Sequence, residues 1–393
     1  MNTPSYTPPS LLPFGKRHID RFCFGTLRGT KQSSIFPVLL NYFLLLIFFP
    51  PLTTLAQPNP VPATIMQQVY DEIKAPCKYG LVLLPEDKGK MVDSPSIFRH
   101  KGRWYMTYIV YDGRGYETWM AQSPDLLQWT TLGKIMSFTT GTWDANQKAG
   151  YIALQDDTWG GGYEVKKYRG KYWMSYLGGA TEGYEAGILG VGMAYSNDLV
   201  AVKEWQRLQR PVMLPGDADA RWYDNATIFK STVIHDRRKT LGYPFVMYYN
   251  AKSREANRAE RIAMAVSDDM KHWKRYSDKP VIDHNTGISG DAFITRMDDL
   301  WVMFYFGAFW KPGAFDRFAC SYDLVNWTDW DGDDLVSPSE PYDNRYAHKP
   351  FVLKYNGVVY HFYCAVDEEN NRGIAVATSK DLGKSTLSFF NSN

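Results

Sequence analysis

Five side chains able to move protons or to hold polar groups recur along this chain at near-regular intervals: Asp93, Glu164, Asp224, Asp291 and His348. The separations are 71, 60, 67 and 57 residues. A single Asp at a strand end is ordinarily a solvated edge carboxylate. Four acids and a histidine at equivalent places in a repeat are different, because a repeat that closes on itself brings them to one pocket. Carboxyls crowded there repel one another and lose water, which raises at least one pKa and keeps an acid protonated beside an ionised partner. General acid–base catalysis needs that division: one carboxyl gives a proton while another activates water or attacks the reacting centre.

The elements that must position these groups are also repeated. The pattern Ala-x-Ser-x-Asp-(Leu/Met) begins at Ala121, Ala194, Ala265, Ala319 and Ala377, with Trp129, Trp205, Trp273 and Trp327 following the first four. Intervals of 73, 71, 54 and 58 residues are too long for one hairpin and suit a four-stranded blade with variable loops. Upstream of each copy stands a short apolar strand, a polar turn and an aromatic-rich strand, as in Ser96-Ile97-Phe98, Lys101-Gly102 and Trp104 to Tyr108. In the second copy the same pattern places the inner hairpin at residues 165–168 and 172–176. The expected fold is all-β, a five-bladed β-propeller with four antiparallel strands per blade. The four acids and His348 would open the innermost strands and face the central funnel. The Ser-x-Asp turns, present in all five copies, read as structural caps on backbone amides.

Composition agrees with a folded β-protein. Aromatic residues make up 16% of the sequence, and 44 Lys+Arg nearly balance 42 Asp+Glu, which excludes an obvious nucleic-acid partner. Lys16, Arg17, Arg21, Arg28 and Lys31 precede an apolar run at residues 35–49, broken by Pro50 and Pro51 ahead of Thr54-Leu55-Ala56. That is the order of a secretory signal, so residues 1–56 are expected to be a signal peptide and residues 57–393 one exported domain. The run is shorter than the roughly 20 residues of a membrane-spanning helix, so no stable membrane insertion is expected and the location is periplasmic or secreted. Removing it takes away five basic residues and Asp20, turning a slight excess of base into a slight excess of acid. Cys77, Cys320 and Cys364 remain and are read as buried small hydrophobes.

The phrase Val92-Asp93-Ser-Pro95-Ser-Ile97-Phe98 followed by Lys101-Gly102-Arg-Trp104-Tyr105-Met106 resembles the first blade of the five-bladed β-propeller glycoside hydrolases, nearest family 43, with families 32, 62, 117 and 130 as relatives. The resemblance implies a glycosidase acting on plant or algal polysaccharide fragments, of arabinofuranoside or xyloside type, by inversion. It implies Asp93 as general base, Asp224 as the acid-tuning residue, Asp291 in the place of the family's general acid, and His348 near the axis. Asp291 stands where the family carries Glu, so His284 or a loop acid (Glu182, Glu185 or Glu340) is an alternative acid. A binding propeller without catalysis, a neoagaro-oligosaccharide hydrolase like family 117 and a phosphorylase like family 130 are the competing functions.

Glu164, His348, His284, Trp159, Trp222 and Trp310 are expected to contact substrate, with Trp143 a further ring in a loop; packing between blades is the competing role for each ring. Lys349 and Arg345, beside His348, would suit a carboxylate on the sugar, with surface pairing as the alternative. No cofactor is required, though His348 could hold a calcium ion in the channel.

Overall fold

The computed structural model describes residues 60–255, 257 and 259–389. The leader expected over residues 1–56 therefore lies outside the described residues. Among the described residues one helix, Ala63–Ile73, precedes twenty strands. Its apolar face (Met66, Val69, Ile73) packs into a cluster with Phe304, Phe318 and Trp330. No described helix is long and apolar enough to cross a membrane.

The strands pair as five antiparallel units of four. The first unit runs, from inner to outer, Met91–His100, Arg103–Tyr111, Tyr116–Ser123 and Thr130–Met136. The second runs Gln147–Ile152, Tyr172–Gly179, Leu189–Ser196 and Gln206–Arg207. The third holds Thr227–His235, Phe245–Lys252, Glu260–Ser267 and Lys274–Arg275, and the fourth Ile288–Met297, Leu300–Ala308, Ala314–Ser321 and Thr328–Asp329. In the fifth, Tyr346–Tyr355, Val358–Val366 and Arg372–Thr378 take their fourth strand from the other end of the sequence, Cys77–Leu83. Pairing the first strand with the last ties the two ends of the repeat together through backbone hydrogen bonds.

The sequence repeats mark the right places in this architecture. In the first unit, Ser123 Oγ accepts the amides of Asp125 and Leu126, Asp125 Oδ1 accepts those of Leu127 and Gln128, and the Trp129 indole donates to the Leu126 carbonyl. The same serine and indole bonds recur around Ser267 and Ser321. The central Leu126, Met270 and Leu324 take φ of 73°, 66° and 70°, a left-handed turn that the Ser and Asp side chains hold by satisfying its amides.

The second unit departs from expectation. Its inner strand is Gln147–Ile152, not residues 165–168, which make only isolated bridges. An inserted loop between that strand and Tyr172 carries the Arg169-Gly170 turn whose signal imitated a hairpin. Cys320 and Cys364 are buried as expected, whereas Cys77, on the closing strand, is partly exposed.

Candidate active site

The inner strands of the first, fourth and fifth units share a local irregularity that builds the site. Their pairing slips between Asp93 and Ser96, Gly290 and Phe293, and His348 and Phe351. Two residues bulge at each slip, and the first of them takes a left-handed φ: Ser94 at 49°, Asp291 at 56° and Lys349 at 66°. Such φ values are costly for residues with a Cβ and persist where the surroundings over-determine them. The bulges bring Asp93 and Ser94, Asp291 alone, and His348 and Lys349 to a common cavity. Asp291 is thereby equivalent to Ser94 and Lys349, one position beyond Asp93 and His348, whose own partner in the fourth unit is Gly290. The third unit slips between Ile228 and Ser231 and contributes Lys230.

These residues line a cavity of about 220 Å³ together with Tyr116, Tyr151, Tyr184, Glu185, Asn250, Glu260, Phe306, Phe309 and Arg372. Three of the expected residues, Asp93, Asp291 and His348, are brought together there. Lys349 is there too, whereas Arg345 is exposed and lies over the Tyr346 ring at 5.2 Å.

Asp93 is enclosed by cations. Its Oδ1 accepts the Ser94 amide at 2.7 Å, and its Oδ2 accepts Lys349 Nζ at 2.7 Å and Arg372 Nη1 at 3.4 Å. Burial pushes its pKa up, but Lys349, Arg372 and these hydrogen bonds prevail and hold the carboxyl well below the usual carboxylate range. His348, buried and next to Lys349, is lowered to about 3 and is neutral, with Nδ1 3.2 Å from the Cys364 carbonyl. A cation beside it would face the Lys349 ammonium and an Asp93 carboxylate already paired, so these residues do not fit a calcium site. Among the described residues no cluster of three or more His, Cys, Asp or Glu is placed to hold a metal.

The other carboxyls have the opposite environment. Asn250 Nδ2 donates to Asp291 Oδ1 at 2.8 Å and to Glu260 Oε1 at 3.3 Å, so one amide spans two acids. Lys230 Nζ lies 3.5 Å from Asp291 Oδ2, and Lys252 Nζ only 3.9 Å from Glu260 Oε2. Burial, and then the nearby charges of Glu185 and Asp291, raise Glu260 to about 8 against the weaker pull of Lys252. Glu185 is also raised, chiefly by burial, while Lys349 and a hydrogen bond from the Tyr116 hydroxyl (3.2 Å) oppose the rise. Its loop is tight: Glu185 itself has φ of 49°, and a Cβ on Gly187 (φ 76°) would lie 2.1 Å from Thr181 Oγ1.

Asp224 is not among the cavity residues. Buried completely, it pairs with Arg275 and accepts the Tyr249 hydroxyl at 2.9 Å. The same clamp, an acid ahead of the inner strand bound by a Tyr of the second strand and a cation of the fourth, recurs as Asp144 with Tyr176 and Arg207 and as Asp343 with Tyr363 and Lys78. In the fourth unit the polarity is reversed. There Asp329 on the fourth strand takes the Tyr305 hydroxyl at 2.6 Å and faces His284 Nε2 at 3.1 Å. Asp224 and His284 therefore belong to a repeated fastening that ties inner to outer strands.

Glu164 sits beside Arg99, at the opposite end of the first inner strand from Asp93, because the strand expected to carry it to the mouth does not form. Trp159 is likewise at that end, its indole donating to Glu72 of the helix at 2.8 Å. Trp310 stacks on His284 with centroids 4.0 Å apart, Trp143 packs on Tyr176, and Trp222, 42% exposed, lies under Arg261 outside the cavity. Of the loop acids, Glu182 is exposed and pairs with Arg114, and Glu340 lies near Lys384. Glu185 alone among them reaches the cavity. Glu260 escaped the sequence reading because it opens a third strand, not an inner one; the only available signal was an acid at the start of the run Arg261-Ile-Ala-Met-Ala-Val.

Carboxyls gathered with cations around a small, aromatic-walled cavity on repeated antiparallel sheets suit acid–base chemistry on a polar substrate. No family model and no curated protein matches the sequence. Among solved structures the protein is similar to BT0996 in an RGII complex, at 49% identity and a TM-score of 0.83, over 85% of the present sequence and 99% of the other. A second, described as a glycoside hydrolase, is 48% identical with a TM-score of 0.82, again over 85% and 99%. A thermostable family-43 glycoside hydrolase shares the fold at 14% identity and a TM-score of 0.55, over 79% of the present sequence and 100% of the other. The protein belongs to the β-propeller glycoside hydrolases and is a glycosidase.

Proposed function

We propose that this is an exported, five-bladed propeller enzyme that removes a terminal sugar from plant polysaccharide fragments, with Glu260 as general acid and Glu185 as the base or nucleophile. The five four-stranded units and the pairing of the first strand with the last support closure into five blades. The apolar run and small-residue site of residues 35–56 support export. The observation that carries the catalytic reading is the pair of raised carboxyls, Glu260 and Glu185, which line one cavity, with the charge of Glu185 adding to the rise at Glu260. Glu260, raised to about 8, stays protonated at neutral pH and can give its proton to the leaving oxygen, while Glu185, whose rise Lys349 and the Tyr116 hydroxyl oppose, serves as the ionised partner.

The sequence points to Asp93 as base, with inversion; the geometry favours Glu185. A carboxylate already bonded to the Ser94 amide, Lys349 and Arg372 is a weak base, and its best use is to hold those two cations toward sugar hydroxyls. Asp291, held by Asn250 and Lys230, is suited to orienting substrate and to keeping Glu260 protonated. A cavity of about 220 Å³, closed by buried side chains, supports acceptance of a single terminal unit. The similarity to BT0996 in its RGII complex supports an RGII oligosaccharide as substrate, with an arabinofuranosyl or xylosyl unit as the sugar released.

The test is release of monosaccharide from RGII oligosaccharides by residues 57–393, followed by chromatography. Glu260→Gln and Glu185→Gln are each expected to lower kcat by about 10²- to 10⁴-fold, and Asp93→Asn by less. A parental rate in Glu260→Gln would sink the assignment.

A further inference from the structure

We propose that Phe309 is the stacking platform for the sugar on the leaving side of the scissile bond, and so a specificity-determining residue at the cavity mouth; this rests on the catalytic reading above. The closed end of the cavity is made of buried side chains, among them Asp93, Tyr151, Lys230, Glu260, Asp291 and His348. Only two lining residues are exposed: Tyr184 at 42% and Phe309 at 60%. If the terminal unit fills the closed end, the remainder of the oligosaccharide leaves past these two rings.

Tyr184 is already engaged. Its hydroxyl accepts Arg372 Nη1 at 3.1 Å, the guanidinium lies 5.5 Å from its ring centre, and its ring meets Tyr111 and Tyr116 edge-on at 5.4 and 5.7 Å. Phe309 has no comparable employment. Its one aromatic neighbour among the described residues is Tyr346, edge-on at 6.0 Å.

Two costs are concentrated at Phe309. Its φ of 65° is left-handed, a real outlier for a bulky side chain, and its apolar ring is left largely in water. The neighbours enforce the conformation. Phe309 N donates to the Gly313 carbonyl at 3.3 Å, while Trp310 is locked by its stack on His284 and by its indole bond to the Ile288 carbonyl at 2.9 Å. Gly287 lets the turn close down: a Cβ there would lie 2.3 Å from the Ala308 carbonyl oxygen. Trp310 is thus the anchor and Phe309 the ring that the anchor presents. Folding gains nothing from a strained, exposed ring, whereas the apolar face of a sugar would cover it.

The experiment compares two substrates carrying the same released sugar: an RGII oligosaccharide and the methyl glycoside, which has no leaving-side sugar to stack. Phe309→Ala is expected to raise KM for the oligosaccharide roughly tenfold with little change in kcat, and to lower the ratio of kcat/KM between oligosaccharide and methyl glycoside by the same factor. Phe309→Trp should restore the ratio. Phe309→Gly, for which φ of 65° carries no steric cost, should reproduce the KM rise with a thermal midpoint no lower than the parent's. An equal loss on both substrates, or an unchanged oligosaccharide KM in the folded Gly variant, would overturn the proposal. Calorimetric binding of the oligosaccharide in a Glu260→Gln background separates the two readings. Phe309→Ala should weaken that binding by the same factor whichever residue is the acid, and undiminished binding would overturn the platform alone.

Discussion

Asp224 and Glu260 are buried carboxyls of the same four-stranded unit, yet their surroundings could hardly differ more. Asp224 is matched on every side: Arg275 neutralises it, Tyr249 donates to it, and the Arg221 amide caps its second oxygen at 2.7 Å. Glu260 meets one distant ammonium, one shared amide and the charges of two other acids. A carboxyl so partnered is fixed in a structural role, away from the cavity. An unmatched carboxyl is costly to the fold and for that reason useful to chemistry. Burial alone therefore separates nothing in this molecule; the partners do.

The sharpest way to break this comparison is to remove the charge on the matched side. Asp224→Asn keeps the shape but strands Arg275 beside Tyr249, with Asp217 and Asp219 as its remaining acids. A buried pair broken on one side typically costs about 3–5 kcal/mol, and a value toward the lower end is expected because those two acids remain. Denaturant unfolding should show this loss, while kcat per folded molecule stays near the parent's. A variant that keeps its stability but loses kcat would return Asp224 to the catalytic set.

How far the site was legible follows from the same contrast. Asp93 and His348 could be found because each stands in a repeated phrase that begins an inner strand. Asp291 could be found only approximately, because a bulge shifts register by one residue and leaves no compositional mark in Gly290-Asp291-Ala292. Asp224 misled because its spacing fits the repeat as well as a catalytic acid would; the Tyr and Arg that employ it lie on other strands, and spacing does not show side-chain partners. Glu164 misled because an inserted loop reproduced a hairpin's turn and aromatic run. The repeat was legible from its Ser-x-Asp turns, which are local, and from most of its alternating strands, the inner strand of the second unit excepted.

On the unmatched side the comparison predicts a pH profile. The active form carries Glu260 protonated and Glu185 ionised. Glu260 is raised, so the proton it must donate is present below about 8 and is lost as pH rises through that value. Glu185 is also raised, so its ionised form is lost as pH falls, at a pH above the ordinary glutamate range. The rate should be bell-shaped on an oligosaccharide. With an activated 4-nitrophenyl glycoside, whose leaving group needs no proton, Glu260→Gln should retain measurable turnover and lack the alkaline limb. The stability sign is opposite to that of a salt-bridged acid: ionising Glu260 in the folded state is unfavourable, so Glu260→Gln should gain stability over the parent as pH rises from the ordinary glutamate value of 4.5 to about 8, and level off above it. An alkaline limb that survives the substitution would assign that limb to another group.

The smallest effect is expected at His284, where the clamp carries its acid, Asp329, on the fourth strand instead of ahead of the inner one. His284 Nδ1 faces Ser289 Oγ at 2.8 Å and Nε2 faces Asp329, so both nitrogens are occupied, and its ring carries Trp310. Replacement by Ala removes two hydrogen bonds and a stacked ring, for which a loss of roughly 1–3 kcal/mol in unfolding free energy is reasonable. If His284 were the acid, kcat on the oligosaccharide would fall by about 10²- to 10⁴-fold. If it only fastens the fourth unit, kcat stays within a few fold, and the change appears in KM, because the turn that presents Phe309 loses the partner of its anchor. One substitution thus distinguishes a residue that moves a proton from one that holds in place the ring beside which a proton is moved.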